Sequence, residues 1–325
     1  MKRLCLIFLF VFLFSTFSIF TYAKPIVLRL GHVVSTKAPY HIGALRFAKL
    51  LKEKTKGNII IDIYPGGQLA RGEREIIEQL QFGGVDLVVT STGPVGGFVP
   101  SMLVVDLPFL FKDNNHVDKV LEGEIGKSLL EKLSKAGIKG LAFWENGFRN
   151  LTNSKRPINL PEDVKGLKIR TMENQVHIDS FRALGADPTP MAWGEVYTAL
   201  QQGVIDGQEN PINIIRTLKI YEVQKYLALT GHFYSPALIL MNKKKFDKMP
   251  KNYKKALVEA AWEAGRYEKN FIRKNEARML KELKELGMVV TTPDKSLFRK
   301  ATESVYKKYE NRFGKDLINK IINTK

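Results

Sequence analysis

Arg170 is the residue whose type and position point most directly to binding chemistry. It ends the segment Leu-Lys-Ile-Arg at residues 167–170, which predicts a short strand. In an open α/β sheet, ligands bind beyond the carboxyl ends of the strands. A guanidinium group there can donate two parallel hydrogen bonds to one carboxylate. The position therefore predicts a carboxylate site, although a solvated pair between Arg170 and Glu173 explains it equally well.

Sequence patterns of the common catalytic and metal sites are missing from this chain. Residues 126–128 read Gly-Lys-Ser, like the end of a phosphate-binding loop, but Leu121 stands where that loop requires glycine. There is no G-x-G-x-x-G, H-E-x-x-H or G-x-S-x-G pattern and no cysteine pair, and the five histidines are far apart. We therefore expect no cofactor and no metal, and a binding protein rather than an enzyme.

The elements that must position Arg170 are predicted by apolar patterns. Short apolar runs that predict strands alternate with segments whose apolar residues recur at helical spacing. This alternation predicts an α/β fold, in which helices cover the faces of a sheet. The predicted strands are residues 26–30, 58–64, 86–90, 140–144 and 167–170, and the predicted helices are residues 44–51, 71–82 and 114–136.

One helical pattern is far longer than the others. Across residues 251–286, apolar side chains recur every three or four positions, with Pro250 before the pattern and Gly287 after it. At ~1.5 Å per residue such a helix would be ~54 Å long. A single small domain cannot use that length. The pattern therefore predicts a helix that bridges two domains, or one that is broken near Asn270 or Asn275.

Residues 187–211 carry the strongest family resemblance. They read Asp-Pro-Thr-Pro-Met-Ala-Trp-Gly-Glu-Val-Tyr at 187–197 and Asp-Gly-Gln-Glu-Asn-Pro at 206–211, and they predict a helix between two turns rich in Pro, Gly and Asn. This stretch closely resembles the DctP-like solute receptors of tripartite ATP-independent periplasmic (TRAP) transporters.

The resemblance implies an α/β, two-lobe fold like that of periplasmic binding proteins. The ligand cleft would lie between the domains, and the long helix would span both lobes. The chain is also longer than one compact core usually holds, which favours two domains. We expect lobe I to comprise residues 24–146 and 236–275, and lobe II to comprise residues 147–235 and 276–325.

The resemblance also implies roles for particular residues. The family's second-lobe arginine, which binds a carboxylate, lies in a Gly-Leu-Lys-x-Arg context that residues 166–170 match. Arg149 matches a second ligand-facing arginine, unless it forms a salt bridge with a nearby carboxylate. Asn210 matches an asparagine that hydrogen-bonds the substrate, unless it only shapes the turn before Pro211. Trp193 matches an aromatic residue against the ligand, although a tryptophan that opens a helix more often packs in a core.

Seven further residues are weaker candidates at the expected edges of the cleft, and ordinary packing or solvation explains each of them better. Ser91 and Thr92 follow a predicted strand and could offer hydroxyls from the first lobe, and Arg71 could bind a second acidic group. The others are Glu145, Asn146, Tyr234 and His32.

The first residues resemble a secretory signal. Lys2 and Arg3 precede an almost unbroken apolar run at residues 4–20, and residues 21–23 (Thr-Tyr-Ala) form an acceptable cleavage site. We expect a signal peptide at residues 1–23 and a periplasmic protein. The alternative is an uncleaved anchor of ~17 residues, at the lower edge of what a membrane span needs. Cys5 is the only cysteine, so the mature chain would hold no disulfide.

The formal net charge of +18 raises the question of nucleic acid binding. The lysines alternate with glutamates, as at residues 281–285, which is typical of solvated helix faces. The chain carries no basic arm and no nucleic-acid-binding motif, so we expect no nucleic acid partner. The partners implied by the resemblance are a small organic-acid ligand and the membrane permease subunits of a TRAP transporter, with the receptor itself a monomer.

The expected function is an extracytoplasmic receptor that captures a small carboxylate and delivers it to a membrane permease. The acid could be a C4-dicarboxylate-like acid or a sugar acid. The sequence does not decide between a monoacid and a diacid, because it does not show whether Arg71 and Arg149 both reach the ligand. A secreted enzyme on a similar two-lobe scaffold and a ligand-sensing partner of a signalling receptor remain the alternatives.

Overall fold

The computed structural model describes residues 24–325. The signal peptide predicted at residues 1–23 lies outside the described residues. None of the described helices combines the length and the apolar character that a membrane span requires. The described chain folds around a mixed sheet with helices on its faces, which confirms the α/β fold predicted from the alternating pattern.

The sheet has nine strands within residues 24–325. They are β1 (Ile26–Gly31), β2 (Ile59–Tyr64), β3 (Leu87–Ser91), β4 (Ile138–Asn153), β5 (Lys168–Thr171), β6 (Asp187–Pro190), β7 (Gly207–Pro211), β8 (Tyr226–Asn242) and β9 (Val289–Thr291). Their order in space is β2-β1-β3-β8-β4-β7-β5-β6, and β9 pairs with β8 outside this path.

Two parallel groups of strands flank an antiparallel centre. The strands β2, β1 and β3 run parallel to one another, and so do β7, β5 and β6. Between the groups lie β8 and β4, which pair antiparallel with each other, with β3 and with β7. These two strands are 17 and 16 residues long, and at ~3.3 Å per residue each spans ~50 Å. They therefore run through both groups and join them in one sheet.

Thirteen α-helices are present within the same residues. They are α1 (Pro39–Lys54), α2 (Glu73–Phe82), α3 (Thr92–Val95), α4 (Asn114–Leu121), α5 (Glu124–Lys132), α6 (Gln175–Ala183), α7 (Trp193–Gln201), α8 (Ile212–Thr217), α9 (Lys243–Asp247), α10 (Lys251–Glu285), α11 (Lys295–Ala301), α12 (Glu303–Phe313) and α13 (Lys315–Ile322). Short 3-10 helices lie at Pro100–Asp106, Leu133–Ala136, Pro161–Val164 and Ile220–Glu222.

Side chains alternate along the buried strands and build a core on each face of the sheet. In β3, Leu87 and Val89 join a cluster with residues of α1 and α10, whereas Val88 joins a cluster with residues of α2, α4 and α5. A strand that is buried on both faces is apolar throughout. This is why the first three residues of β3, at 87–89, form a short continuous apolar run.

The helix α10 is continuous over 35 residues, and the break considered near Asn270 or Asn275 does not occur. Asn270 is exposed, and the Asn275 side chain donates to the carbonyl of Phe271, one turn earlier, at 2.7 Å. Neither side chain interrupts the helix. On its buried side, α10 contacts β4 closely, and Nε1 of Trp144 donates to the carbonyl of Ala261 at 2.9 Å.

Two predicted elements differ in extent from those observed. The helix predicted at residues 114–136 is divided into α4, α5 and a 3-10 helix. A Cβ on Gly123, between α4 and α5, would lie 2.5 Å from the Lys119 carbonyl oxygen, so glycine is required at this junction. The strand predicted at residues 140–144 is part of the longer β4. Its second half is polar but buried, and apolar periodicity gives no signal for such a segment.

The two turns predicted around α7 are strands in the structure, whereas the helix predicted between them is confirmed. Residues 187–190 form β6 at the edge of the sheet, where proline is tolerated because one side of the strand has no partner. Residues 207–211 form β7, with Pro211 at its last position. Asn210 therefore lies in a strand and not in a turn.

We predict that Gly265→Ala destabilises the protein although alanine is the better helix former. A Cβ at Gly265 would lie 2.6 Å from Cδ1 of Trp144. Overpacking of this kind costs ~1–3 kcal/mol, which exceeds the ~0.5–1 kcal/mol that alanine gains within a helix. Urea unfolding should show a lower free energy of unfolding. Lys274→Ala, at an exposed position of α10, should stay within ~0.5 kcal/mol of wild type. A Gly265→Ala variant as stable as this control would contradict the packing.

Candidate functional site

A cavity lies where the two parallel groups of strands face each other. Its walls include residues at the carboxyl ends of β3, β5 and β7 and in the middle of β4, the edge at which open α/β sheets bind ligands. The lining residues are Val33, Val34, Tyr40, Glu73, Ser91, Asn146, Arg149, Arg170, Met172, Trp193, Asn210 and Ile214.

Arg149 forms a buried ion pair beneath this cavity. Its Nε and Nη2 donate to the carboxylate of Glu209 on the neighbouring strand β7, and Nη2 also donates to the Glu209 carbonyl. Burial alone would raise the pKa of Glu209, but the charge of Arg149 and a hydrogen bond from His232 hold that pKa well below its usual range. The salt bridge considered for Arg149 is therefore formed. Its Nη1 has no hydrogen-bond partner among residues 24–325, so Arg149 keeps one donor for the cavity.

Arg170 is also buried, with 3% of its surface exposed. Its Nε and Nη2 donate to the carbonyl of Met191 at 3.0 and 2.7 Å, and the guanidinium group lies 5.5 Å from the ring centre of Trp193. Burial lowers the pKa of Arg170 to about 10, so the side chain stays cationic at neutral pH. The ion pair considered with Glu173 is not formed within the described residues. The side chain of Arg170 lines the cavity, and its Nη1 group takes no part in the bonds to the Met191 carbonyl.

Two more buried polar atoms of the cavity wall lack partners in the described part of the chain. They are the hydroxyl of Tyr40 and Oδ1 of Asn146. Burial raises the pKa of Tyr40 well above its usual value, so its hydroxyl remains a donor. Asn210 is held by a hydrogen bond from its Nδ2 to Oε1 of Gln208. Buried polar atoms in proteins are nearly always paired, so these atoms are available to bond water or a polar ligand.

Glu73 brings a carboxylate to the same cavity. Its oxygens accept hydrogen bonds from the backbone N of Ser91 at 2.8 Å, from Oγ of Ser91 at 3.0 and 3.1 Å, and from Oγ1 of Thr90 at 3.0 Å. The carboxylate is thereby fixed at the carboxyl end of β3. The hydroxyl of Ser91, which was expected to face a ligand, is engaged with Glu73 instead.

The structure brings six of the eleven candidate residues together around the cavity. They are Ser91, Asn146, Arg149, Arg170, Trp193 and Asn210. The other five candidate residues do not line this cavity. They are Glu145, Tyr234, Thr92, His32 and Arg71.

Glu145 and Tyr234 contact each other away from the cavity. The Tyr234 hydroxyl donates to the Glu145 carboxylate at 3.0 Å, and Arg273 of α10 donates to the same carboxylate from Nε at 2.9 Å. Arg273 also binds Asp118 of α4. These groups connect α10 to the sheet and to α4. Glu145 and Asn146 are successive residues of β4 beside a shift in its register with β8, and only Asn146 lines the cavity.

Thr92, His32 and Arg71 also point elsewhere. The Thr92 hydroxyl donates to Oδ1 of Asp106 at 2.9 Å. His32 lies 3.1 Å from the ring of His41, and burial lowers its pKa to about 4. The side chain of Arg71 is exposed, and its backbone carbonyl accepts a hydrogen bond from the backbone N of Gly194 at 3.3 Å.

Tyr40 and Glu73 were missed by the sequence analysis. Both lie in the first turn of a helix that follows a parallel strand, α1 after β1 and α2 after β2. In that topology the first turn lies at the carboxyl edge of the sheet, so the position itself is a signal. Glu209 was also missed, although it lies within the motif at residues 206–211.

A cluster of buried ionisable groups extends behind Arg149. His177 stacks on Phe233 and lies 3.7 Å from Asp106 and 4.0 Å from Glu209. Burial raises the pKa of Asp106 to about 7 and lowers that of His177 to about 3, so both are uncharged in mildly acidic solution. No group of His, Cys, Asp and Glu suited to hold a metal ion occurs among residues 24–325.

Comparison with known proteins finds relatives over nearly the whole chain. The model of the family described as bacterial extracellular solute-binding protein, family 7 (DctP), matches residues 30–312. The 2,3-diketo-L-gulonate-binding periplasmic protein YiaO of Escherichia coli (strain K12) is 40% identical over 275 residues, covering 84% of each chain. The C4-dicarboxylate-binding periplasmic protein DctP of Rhodobacter capsulatus is 36% identical over 303 residues, covering 91% of this chain and 90% of that protein.

A solved structure of a similar protein shows a closely similar fold. The TRAP periplasmic solute binding protein from Polaromonas sp JS666, bound to D-erythronate, has a TM-score of 0.91 and 44% sequence identity to this chain. The match covers 92% of this chain and 99% of that one. This likeness confirms the two-lobe fold that the sequence predicted, and α10 is the long helix.

We predict that Asp106→Asn changes how stability depends on pH. The folded state raises the pKa of Asp106 to about 7, above the ~3.9 of an unfolded chain. Its contribution to stability is complete below ~pH 4 and is lost as the pH rises towards 7. The asparagine variant should therefore gain ~1 kcal/mol per pH unit relative to wild type between pH 5 and 7.

Urea unfolding of both proteins at pH 5, 6, 7 and 8 measures this difference. Above pH 7 the difference should level off, because Asp106 is then ionised in both the folded and the unfolded wild type. Asp187→Asn is the matched control, because it replaces the same side chain at an exposed position. A flat difference for Asp106→Asn would show that Asp106 does not titrate in this way.

Proposed function

This chain belongs to the bacterial extracellular solute-binding proteins of family 7, and on that premise we propose that it is the receptor of a TRAP transporter. It captures a small carboxylate outside the cytoplasm and delivers it to the membrane permease subunits. The names of the relatives, one binding 2,3-diketo-L-gulonate and one binding C4-dicarboxylates, support an acid of the sugar-acid or C4-dicarboxylate kind.

The observation that carries the proposal is an excess of buried positive charge at the cavity. Arg149 and Arg170 are 0% and 3% exposed, and Glu209 is 0% exposed. One fully buried carboxylate thus accompanies two buried guanidinium groups, and Glu73, the carboxylate of the cavity lining, is half-buried. An unpaired buried charge is strongly unfavourable. A carboxylate bound between the Nη1 groups of Arg149 and Arg170 would supply the missing negative charge and accept hydrogen bonds from both.

Closure around the ligand is part of the same proposal, with the boundaries of lobe I and lobe II as given above. Tyr40 and Ser91 then belong to lobe I, and Arg170 and Trp193 to lobe II, so the cavity has walls from both lobes. The backbone contact between Arg71 and Gly194 joins the lobes at the rim. A ligand that contacts both lobes binds the closed form better and shifts the population towards it.

The periplasm is the proposed location, after cleavage of residues 1–23. The periplasmic names of the relatives support it, and the predicted signal peptide provides the route. We further propose that the mature chain is a monomer in solution and that its partner is the permease.

We predict that Arg170→Lys lowers affinity for the cognate acid by roughly ten- to a hundredfold, because a lysine ammonium group lacks the planar geometry with which the guanidinium group bonds the Met191 carbonyl and a carboxylate together. A thermal-shift screen of C4-dicarboxylates, aldonates and uronates selects the acid, and calorimetric titration gives the dissociation constants. Arg156→Lys is the matched control, because Arg156 also donates from Nε and Nη2 to backbone carbonyls but is exposed. Equal affinity in Arg170→Lys and wild type would remove Arg170 as the anchor.

We also predict that the cognate acid reduces the radius of gyration of the protein in solution scattering. The residues that contact ligand belong to both proposed lobes, so bound ligand favours the closed form. Arg170→Ala serves as the control, because at the same ligand concentration it should keep the larger radius. An unchanged scattering profile of the wild type at saturation would argue against a hinged receptor.

A further inference from the structure

Glu73 is an acidic side chain in a cavity that is otherwise suited to an acid. It is the first residue of α2 and is half-buried. Three donors fix its carboxylate, the backbone N and Oγ of Ser91 and Oγ1 of Thr90. An anion-binding site gains nothing from a carboxylate that faces the anion. The group therefore needs another explanation.

The neighbours of Glu73 in the cavity wall complete a polar surface of a different kind. The Tyr40 hydroxyl and Oδ1 of Asn146 are buried without hydrogen-bond partners in residues 24–325. Arg149 and Arg170 belong to the same lining, so the cavity combines guanidinium donors with two kinds of acceptor and one hydroxyl.

We propose that Glu73, with Tyr40 and Asn146, makes this receptor specific for acids that carry one carboxylate and several hydroxyl groups. The inference rests on the proposed function, because it names the class of acid that the same cavity binds. A ligand hydroxyl donates to the Glu73 carboxylate or to Oδ1 of Asn146 and accepts from the Tyr40 hydroxyl. A second carboxylate has no proton to donate, and it would lie beside the like charge of Glu73.

The positive charges of the cavity support the same class. Arg149 and Arg170 are the cationic side chains in the lining formed by the described residues, and Glu209 already neutralises Arg149. Glu73 adds a second carboxylate to the same lining, so no cation is left over for a second carboxylate of the ligand. A diacid would place its second charge in the cavity without a compensating cation, and such a charge is strongly disfavoured in a buried site.

The experiment compares acids that are matched in chain length. Erythronate and gluconate are the polyhydroxy monoacids, with four and six carbons, and succinate and adipate are the corresponding diacids. Dissociation constants are measured by calorimetric titration for the wild type, Glu73→Gln and Glu78→Gln. The last variant removes the same charge from the same helix, but Glu78 pairs with Arg74 on the surface.

The wild type should bind at least one polyhydroxy acid roughly tenfold or more tightly than its matched diacid, as expected for one charged hydrogen bond. Glu73→Gln should weaken that polyhydroxy acid roughly tenfold and strengthen the diacid. Glu78→Gln should reproduce the wild type. If Glu73→Gln does not fold, Tyr40→Phe replaces it as the test, and it should weaken the polyhydroxy acid without changing the diacid.

Two results would overturn the inference and leave the proposed function intact. One is a wild type that binds a diacid as tightly as its polyhydroxy partner. The other is that neither Glu73→Gln nor Tyr40→Phe changes the ratio between the dissociation constants of the polyhydroxy acid and its matched diacid. Failure of the proposed function is a separate result, in which no acid of the thermal-shift screen stabilises the wild type.

Discussion

The burial of two guanidinium groups beside one carboxylate is the constraint on which the site depends. Arg149 and Arg170 act on each other as like charges, and burial of Arg170 already lowers its pKa. Three groups stabilise the two buried guanidinium groups. They are Glu209 from β7, the Met191 carbonyl and His232. His232 reaches Glu209 from β8 because the register of β4 and β8 shifts between Arg149 and Leu151, and such irregularities redirect side chains.

The sequence predicts the outline of the fold well and its centre poorly. Apolar runs and helical spacing locate most elements around the sheet, and the pattern at residues 251–286 predicts α10 to within one residue of its end. The central strands β4 and β8 carry polar residues that the fold buries through side-chain pairs, and no apolar pattern reports such burial. The proline-rich β6 reads as a turn because its tolerance for proline depends on its place at the sheet edge.

For the candidate site too, the sequence predicts which residues are involved better than it predicts the direction in which their side chains point. A strand places successive side chains on opposite faces, so a one-residue error exchanges a cavity residue for a core residue. Asn146 lines the cavity, and its neighbour Glu145 binds Arg273 instead. Residue type and proximity in sequence located the region, but only the pairing of β4 with its neighbours gives the face. Tyr40 and Glu73 required a further step, namely that helices after parallel strands begin at the ligand edge.

The polar atoms that are proposed to bind the ligand also affect the stability of the proposed receptor when no ligand is bound. In this structure the Tyr40 hydroxyl, Oδ1 of Asn146 and Nη1 of Arg149 are buried without partners among residues 24–325, and each such group costs ~1–3 kcal/mol if it stays unpaired. Together they approach the ~5–15 kcal/mol that stabilises a whole domain. Opening the lobes returns these atoms to water, and a bound hydroxy acid pairs them without opening. If the proposed lobes close, the polar lining therefore makes closure depend on ligand, because it penalises a closed empty form.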